Sequence, residues 1–239
     1  MNLVVVILAA GKGTRMKSIT PKVLHKVDNK TMIERVVHTS KNLDPNEIVV
    51  VVSKENIKQI SKTVYDVRYQ IQNKQLGTGH AVKTALSCCD TSNLLVLLGD
   101  VPLITADTLK KVISTKYDAV IVGFLNNDHT NKFGRIIAES NKVKKIVEYS
   151  EATESERKIN LCNSGIMWIK SDYLDLIYDI NNKNSKGEYY LTDLIHIMVQ
   201  MKLQIGYLQA DIHECMGVNT QEDLKTVNKL IKRYKSDTT

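Results

Sequence analysis

Aromatic residues are scarce in this chain: Phe occurs twice and Trp once among 239 residues, and aromatics make up 5%. The net charge of +7 is carried by lysines scattered over helix faces and the C-terminal tail. Nucleic-acid binders gather basic residues with stacking aromatics, so this pattern speaks against one and favours a small polyanionic ligand. Cysteine is also sparse. Cys88, Cys89, Cys162 and Cys215 include no pair at zinc-ligand spacing, and the adjacent pair is poorly suited to bridging itself. Free thiols in a reducing cytosol are the expectation. Long apolar runs are missing too. Met1 to Ala10 has no basic leader and falls short of a membrane span, so a cytoplasmic protein without membrane contact is expected. No repeat, low-complexity segment or linker divides the chain, and a single domain over 1–239 is expected.

What is present is alternation. Leu3 to Leu8 reads as a buried strand, Thr31 caps a helix with Met32, Ile33, Val36 and Val37 on one face, and Ile48 to Val52 is a second strand. A helix over Lys54 to Val64 and a strand over Val67 to Ile71 follow. Strand, helix and strand in this order predict a parallel sheet with right-handed crossovers. A helix over His80 to Leu86, a central strand over Asn93 to Leu98, a helix capped by Thr105 and a strand over Ala119 to Leu125 continue the pattern. From Phe133 the rhythm changes, with a hairpin around Asn141, a helix over Tyr173 to Ile180, the stretch Glu188 to Asp193 entering a helix that reaches Met201, and a strand over Leu203 to Gln209. A covering lobe is predicted there in place of further crossover units. Thr220 caps a last helix with Leu224, Val227, Leu230, Ile231 and Tyr234 on one face.

The chemistry concentrates at strand ends. LAAGKGTRM, Leu8 to Met16, follows the first strand, and its glycines let backbone N–H groups converge on phosphate oxygens beside Lys12, Arg15 and Lys22. Gly11, Gly13 and Met16 break the dinucleotide-binding pattern, and no Gly-Lys-Ser/Thr follows at P-loop spacing. Gln72, Gly77 and Thr78 lie past another strand end, where glutamine donors and acceptors can read a base edge. Asp100 closes the buried strand before Val101 and Pro102, a place suited to Mg²⁺ over a polyphosphate.

LAAGKGTRM, PKVLHKV, QLGTGHA, GDVPL, FGRI, IVEYSEA, NSGIM, GEYYLTD and GVN occur in this order over nearly the whole chain. Together they resemble the uridylyltransferase domain of bacterial N-acetylglucosamine-1-phosphate uridylyltransferases. The resemblance implies an α/β, Rossmann-like mixed, mainly parallel sheet of the nucleotide-diphospho-sugar transferase type, with a sugar-binding lobe in the second half. It further implies a nucleotide-binding part over 1–125, a sugar-binding part over 126–219 and a C-terminal helix and tail over 220–239. It implies Mg²⁺-dependent transfer from UTP to N-acetylglucosamine 1-phosphate. Leu8, Ala9, Ala10, Gly11, Lys22, Gln72, Gly77, Thr78, Leu98, Gly99 and Asp100 would bind the nucleotide. Arg15 and Lys22 would be catalytic, and Asp100 and Asn219 would hold the metal. Gly134, Glu148, Asn163, Glu188 and Tyr190 would grip the sugar. His25 and His80 are read as structural. Two residues depart from the pattern: Leu98 stands where Tyr is common before Gly-Asp, and Ser150 where many members carry Lys. The resemblance stops before the left-handed β-helix of the bifunctional enzymes, so neither acetyl transfer nor trimerisation is implied. A pyrophosphorylase for another base or sugar would share the glycine loop and the Pro21–Lys22 pair; a non-catalytic nucleotide-sugar sensor is the other alternative, and Arg15, Lys22, Asp100 and Asn219 argue against it.

Overall fold

The computed structural model describes residues 2–89 and 92–236, the side chains of 234–236 excepted. Its first half follows the expected alternation. Strand β1 (Leu3–Leu8) leads through the glycine loop to a short hairpin of β2 (Lys26–Val27) and β3 (Lys30–Thr31), then to helix α1 (Met32–Lys41). There follow β4 (Glu47–Val52), α2 (Ile57–Ile60), β5 (Arg68–Ile71), α3 (Thr78–Leu86), β6 (Asn93–Leu98), α4 (Ala106–Ile113) and β7 (Ala119–Leu125). The second half holds β8 (Arg135–Glu139), β9 (Lys142–Val147), α5 (Glu154–Arg157), β10 (Leu161–Ile169), α6 (Asp193–Gln200), β11 (Ile205–Gln209) and α7 (Gln221–Ser236).

Among the described residues nine strands form one sheet in the order β5-β4-β1-β6-β10-β7-β11-β9-β8. The β5-β4-β1-β6 portion is parallel throughout. Along β1, Leu3, Val5 and Ile7 enter one core while Val4 and Val6 enter the other. That alternation between two dry faces is why the strand is apolar at every position. Helices α1 and α4 cover one face through Ile33, Val36, Leu109 and Val112. Helices α3 and α6 cover the other through Ala81, Val82, Leu194 and Ile195. Each fully buried Val, Leu or Ile contributes about 1.5–3 kcal/mol, so strand alternation and helix faces together dictate this layering. Helix α1 opens with the expected cap at Thr31, reciprocated by Glu34 in a capping box.

The second half departs from expectation in one respect: its strands extend the same sheet, and β11 pairs in parallel with β7, so a crossover connection recurs where none was expected. Strand β10 runs antiparallel between β6 and β7. Strand β8 pairs with β9 and returns to β10 at Cys162↔Arg135, curling the far edge of the sheet. The expected helix over Tyr173 to Ile180 is a 3₁₀ helix over Ser171–Asp179. The helix expected over Lys54 to Val64 is the single turn α2, because Asn56 turns its side chain to neighbouring backbone and competes with helical bonding. Helix α6 starts at Asp193, at the end of the stretch expected to lead into it, and Tyr189 before it is spent on a backbone tie described below. On α7, Val227 and Ile231 are buried beneath Met16, Val27 and Met32; the expected contact of Tyr234 lies outside the described residues. No described helix is long and apolar enough to cross a membrane, and the four cysteines are free.

Candidate active site

The carboxyl ends of β1 and β6 open on a cavity of about 430 Å³. Leu8, Ala9, Ala10, Gly11, Lys22, Gln72, Gly77, Thr78, Leu98 and Asp100 line it from the first half, and Glu148, Glu188 and Tyr190 from the second. Residues separated by most of the chain therefore share one volume. Gln75, Val23 and Ala81, which belong to the QLGTGHA and PKVLHKV motifs, line it as well, as does Lys186, which lies outside every motif.

The floor is the end of β1, held by buried polar contacts. Ala9 N–H donates to the Val51 carbonyl (2.8 Å). The Asn56 amide nitrogen donates to the Ala9 carbonyl (2.8 Å), and its Oδ1 accepts from Ser53 N–H (2.9 Å). Asn56 is thus a clamp that fixes the peptide entering the glycine loop. Within the loop, Gly13 takes the left-handed conformation (φ 60°) and packs against the Lys22 side chain, whereas Gly11 faces open space.

Beside the floor sits a charged cluster. Lys22 Nζ pairs with the Asp100 carboxylate, both side chains only 15% exposed, and also donates to Asn219 Oδ1 (3.0 Å). Arg15 donates to the same Asn219 oxygen (2.8 Å). Asp223 accepts from the Asn219 and Thr220 N–H groups (2.8 Å each), and Val218 N–H donates to the Asp100 carbonyl (2.8 Å). Arg15 and Asn219 do not line the cavity; they back Lys22 and Asp100 from the side. Two hard oxygens, one carboxylate and one amide carbonyl, therefore converge on a single ammonium. Such a donor pair suits Mg²⁺ completed by phosphate and water oxygens. Among the described residues there is no group of three or more His, Cys, Asp or Glu side chains that could hold a metal unaided.

The Gln72 side chain is buried, and its Nε2 donates to the Gly77 carbonyl (3.2 Å) and meets His80 Nδ1 (2.9 Å). Burial, and then the Lys83 charge, hold the His80 pKa below the ordinary histidine value. The neutral ring accepts at Nδ1, so both Gln72 donors are engaged and Oε1 is left to accept from a ligand. His80 is structural in the sense expected, yet it sets which edge of Gln72 is on offer. Thr78 Oγ1 accepts from Leu191 N–H (3.0 Å), a tie between the two halves. A tighter tie lies beside it: Tyr189 N–H donates to the Leu76 carbonyl and Gly79 N–H to the Tyr189 carbonyl, both at 2.8 Å.

The sugar-side residues form a second layer. Glu148 Oε1 accepts from the Thr192 hydroxyl (2.9 Å). Gly134 and Asn163 sit behind Glu148 and do not line the cavity; a Cβ on Gly134 would stand 3.6 Å from Glu148 Oε2 and 3.7 Å from Asn163 Cβ. The pairing Asn163 N–H to Gly134 carbonyl (2.9 Å) brings them together. The NSG motif is a bulge in β10, with Gly165 left-handed (φ 83°) and pressed against Leu98. Gly99 likewise packs inward, toward Ile33, Val23 and the Leu8 carbonyl, and does not line this cavity. The Tyr190 hydroxyl is buried without a hydrogen-bond partner, Ser150 lying beside it without completing one.

Burial, the largest effect, raises the Glu148 pKa, and the Thr192 hydrogen bond only partly offsets it. A carboxyl whose folded pKa is raised binds more protons in the native state. Its contribution to stability is full below the unfolded value, about 4.3, and is lost as pH rises through the folded value. Glu148→Gln should therefore raise Tm at pH 7.5 by about 2–4 °C, and the gain should vanish near pH 4. Thermal melts across that range test it; a gain that persists at pH 4 would point to a cause other than charge.

Residues 5–159 match the MobA-like NTP transferase domain family. The chain is 39% identical to the bifunctional protein GlmU of Paramagnetospirillum magneticum over 97% of its length, covering 53% of that protein. It is 40% identical to that of Alcanivorax borkumensis, covering 54%. It thus spans about half the length of the curated relatives it matches. A Bacillus anthracis structure described as a putative glucose-1-phosphate thymidylyltransferase superposes with a TM-score of 0.77 at 21% identity, covering 95% of this chain and 94% of that one. A UDP-glucose pyrophosphorylase complexed with UDP-glucose gives 0.76 at 17%, covering 98% and 100%. At those identities the two structures speak for the fold alone. The match over 5–159, which takes in the glycine loop, Gln72, Asp100 and Glu148, makes this chain a nucleotidyltransferase of the MobA-like NTP transferase family.

Proposed function

We propose that the chain transfers a uridylyl group from UTP to N-acetyl-α-D-glucosamine 1-phosphate, yielding UDP-N-acetylglucosamine and pyrophosphate, in the cytoplasm. The observation that carries this reading is the single cavity joining the Ala9–Gly11 floor and Gln72 to Glu148, Glu188 and Tyr190, with Lys22 and Asp100 on its wall. The relatives' name, GlmU, supports the choice of substrates.

In this reading a phosphate oxygen of the sugar phosphate attacks the α-phosphorus of UTP. One P–O bond forms, the α–β bridging P–O bond breaks, and its electron pair leaves with pyrophosphate. The attacking group is already anionic at neutral pH, so no base is needed. Alignment and charge neutralisation are what the protein must supply. Arg15 and Lys22 neutralise the triphosphate, and the floor offers N–H groups. Gln72 Oε1 accepts from the N3–H of uracil, a donor that cytosine lacks. Glu148 accepts from a sugar hydroxyl, and Tyr190 supplies an unused donor. Asp100 and Asn219 would hold Mg²⁺, which when bound supplies charge neutralisation at the phosphates.

Pyrophosphate release from purified protein, screened over UTP, CTP, ATP, GTP and dTTP against several sugar 1-phosphates, tests the proposal. The expected pair is UTP with N-acetylglucosamine 1-phosphate. Turnover with CTP and none with UTP would overturn it.

A further inference from the structure

Three of the five ionisable residues with full charges that line the cavity are acidic: Asp100, Glu148 and Glu188. The two cations are Lys22 and Lys186. Lys22 is engaged by Asp100 and Asn219. The second-half wall thus combines Glu148 and Glu188 with one cation, Lys186, and the adjoining run Glu148-Tyr149-Ser150-Glu151 holds none. Among the described ion pairs Lys186 has no partner.

Lys186 belongs to a wound turn and not to a slack loop. Asn184 Oδ1 accepts from the N–H groups of Lys186 and Glu188 (3.2 Å each), and its amide nitrogen donates to the Glu188 carbonyl (2.6 Å). Gly187 N–H donates to the Asn184 carbonyl (3.1 Å), with Gly187 left-handed at φ 65°. Asn182 donates to the Gly187 carbonyl (3.3 Å), and Ser185 meets the Glu151 carboxylate. Just beyond, Tyr189 is tied to Leu76 and Gly79, and Lys83 stands 4.8 Å over its ring. A side-chain knot on one flank and a backbone tie on the other present Lys186 to the cavity. Burial raises the Glu148 pKa and the Ser185 hydrogen bond lowers that of Glu151; the Lys186 charge reaches both, opposing the first shift and adding to the second.

A dianion approaching Glu148 and Glu188 meets like charge, which costs affinity unless a cation stands on the same wall. Resting on the function proposed above, we infer that Lys186 is the phosphate-recognising residue of the acceptor subsite, the contact by which the site selects a sugar 1-phosphate over the free sugar. Its ammonium meets the dianion as a point charge, and the Asn184 knot sets its reach.

Calorimetry and steady-state kinetics on the intact protein and on Lys186→Gln, Lys186→Arg and Lys186→Glu test this. For Lys186→Gln the Kd and KM for N-acetylglucosamine 1-phosphate should rise about tenfold, the loss typical of a charged contact. Affinity for N-acetylglucosamine and the KM for UTP should stay within about twofold, since the proposed contact is to the acceptor phosphate. Lys186→Arg should recover most of the loss, and Lys186→Glu should exceed it. A merely structural role would lower Tm and weaken both sugars together. Equal losses for phosphorylated and free sugar, no loss, or a rise confined to UTP would each overturn the inference. Wild-type protein releasing no pyrophosphate from any pair would sink the proposed function, and the role of Lys186 with it; a working wild type with an unaffected Lys186→Gln sinks Lys186 alone.

Discussion

Asp100→Asn should lower kcat/KM for pyrophosphate release by about 10³-fold, and Asn219→Ala by about 10²-fold, the range seen when a group stabilising developing charge is deleted. The reason lies in what the two side chains do together. Asp100 is the carboxylate paired with Lys22, and the Asn219 oxygen accepts from both Lys22 and Arg15. Removing the charge of Asp100 leaves Lys22 without its counter-ion and the candidate Mg²⁺ position with two neutral amide oxygens and no carboxylate. Removing Asn219 frees the Arg15 and Lys22 side chains from their common acceptor. The fold should survive both changes, because the backbone carbonyl of Asp100, not its carboxylate, receives the Val218 N–H. Stopped assays over a Mg²⁺ titration check this, with thermal melts alongside. Wild-type rates in both variants would remove Asp100 and Asn219 from the mechanism.

Gly77→Ala should destabilise the protein by roughly 3 kcal/mol, about a 6–12 °C fall in Tm for a domain of this size, and abolish detectable turnover. Two costs add. Gly77 has φ 108°, which side-chain-bearing residues rarely adopt, and a Cβ there would stand 2.5 Å from the Tyr189 carbonyl oxygen and 2.9 Å from its nitrogen. Neither atom can move without breaking the tie between residues 76–79 and Tyr189, which aligns Gln72 and Gly77 with Glu188 and Tyr190. Gly11→Ala is the matched control. A Cβ on Gly11 meets nothing within 4 Å, so its Tm should stay within about 1 °C of wild type. Activity lost in Gly11→Ala at unchanged Tm would then report a ligand occupying that space. A Gly77→Ala protein as stable as wild type would show that the tie is dispensable.

The first half of the fold was legible because its rules are local. The β-branched runs, the Thr31 cap and the Thr105 cap act through neighbours in sequence, and Thr105 does accept from Thr108 N–H. In the second half the hairpin around Asn141, the strand ending at Gln209 and the last helix were legible too, but the strand order was not, because β7, β10 and β11 are brought into one sheet by pairings between distant segments. A continuous apolar strand reads alike whether its partner runs parallel or antiparallel. Among site residues, glycine turns and strand ends marked Lys22, Gln72, Gly77 and Asp100, and the family resemblance marked Glu148. Asn56, Asp223, Thr192 and Lys186 carried no comparable mark: the first three act by holding another residue, and Lys186 sits in a polar turn that reads as ordinary loop.

From the order of its motifs alone, the chain determined its nucleotidyltransferase class, its αβ alternation and most of the residues that reach the cavity. Local periodicity and turn chemistry suffice for the alternation, whereas the class rests on the family resemblance that the ordered motifs carry. Tertiary structure decided which of them face the cavity and which stand behind it. Gly99, Gly134 and Asn163 pack against neighbours, Arg15 and Asn219 flank the Lys22–Asp100 pair, and Lys186 enters from the far side. Those assignments depend on close approaches between segments over a hundred residues apart, such as Gly77 against Tyr189, and no spacing along the chain encodes such a distance.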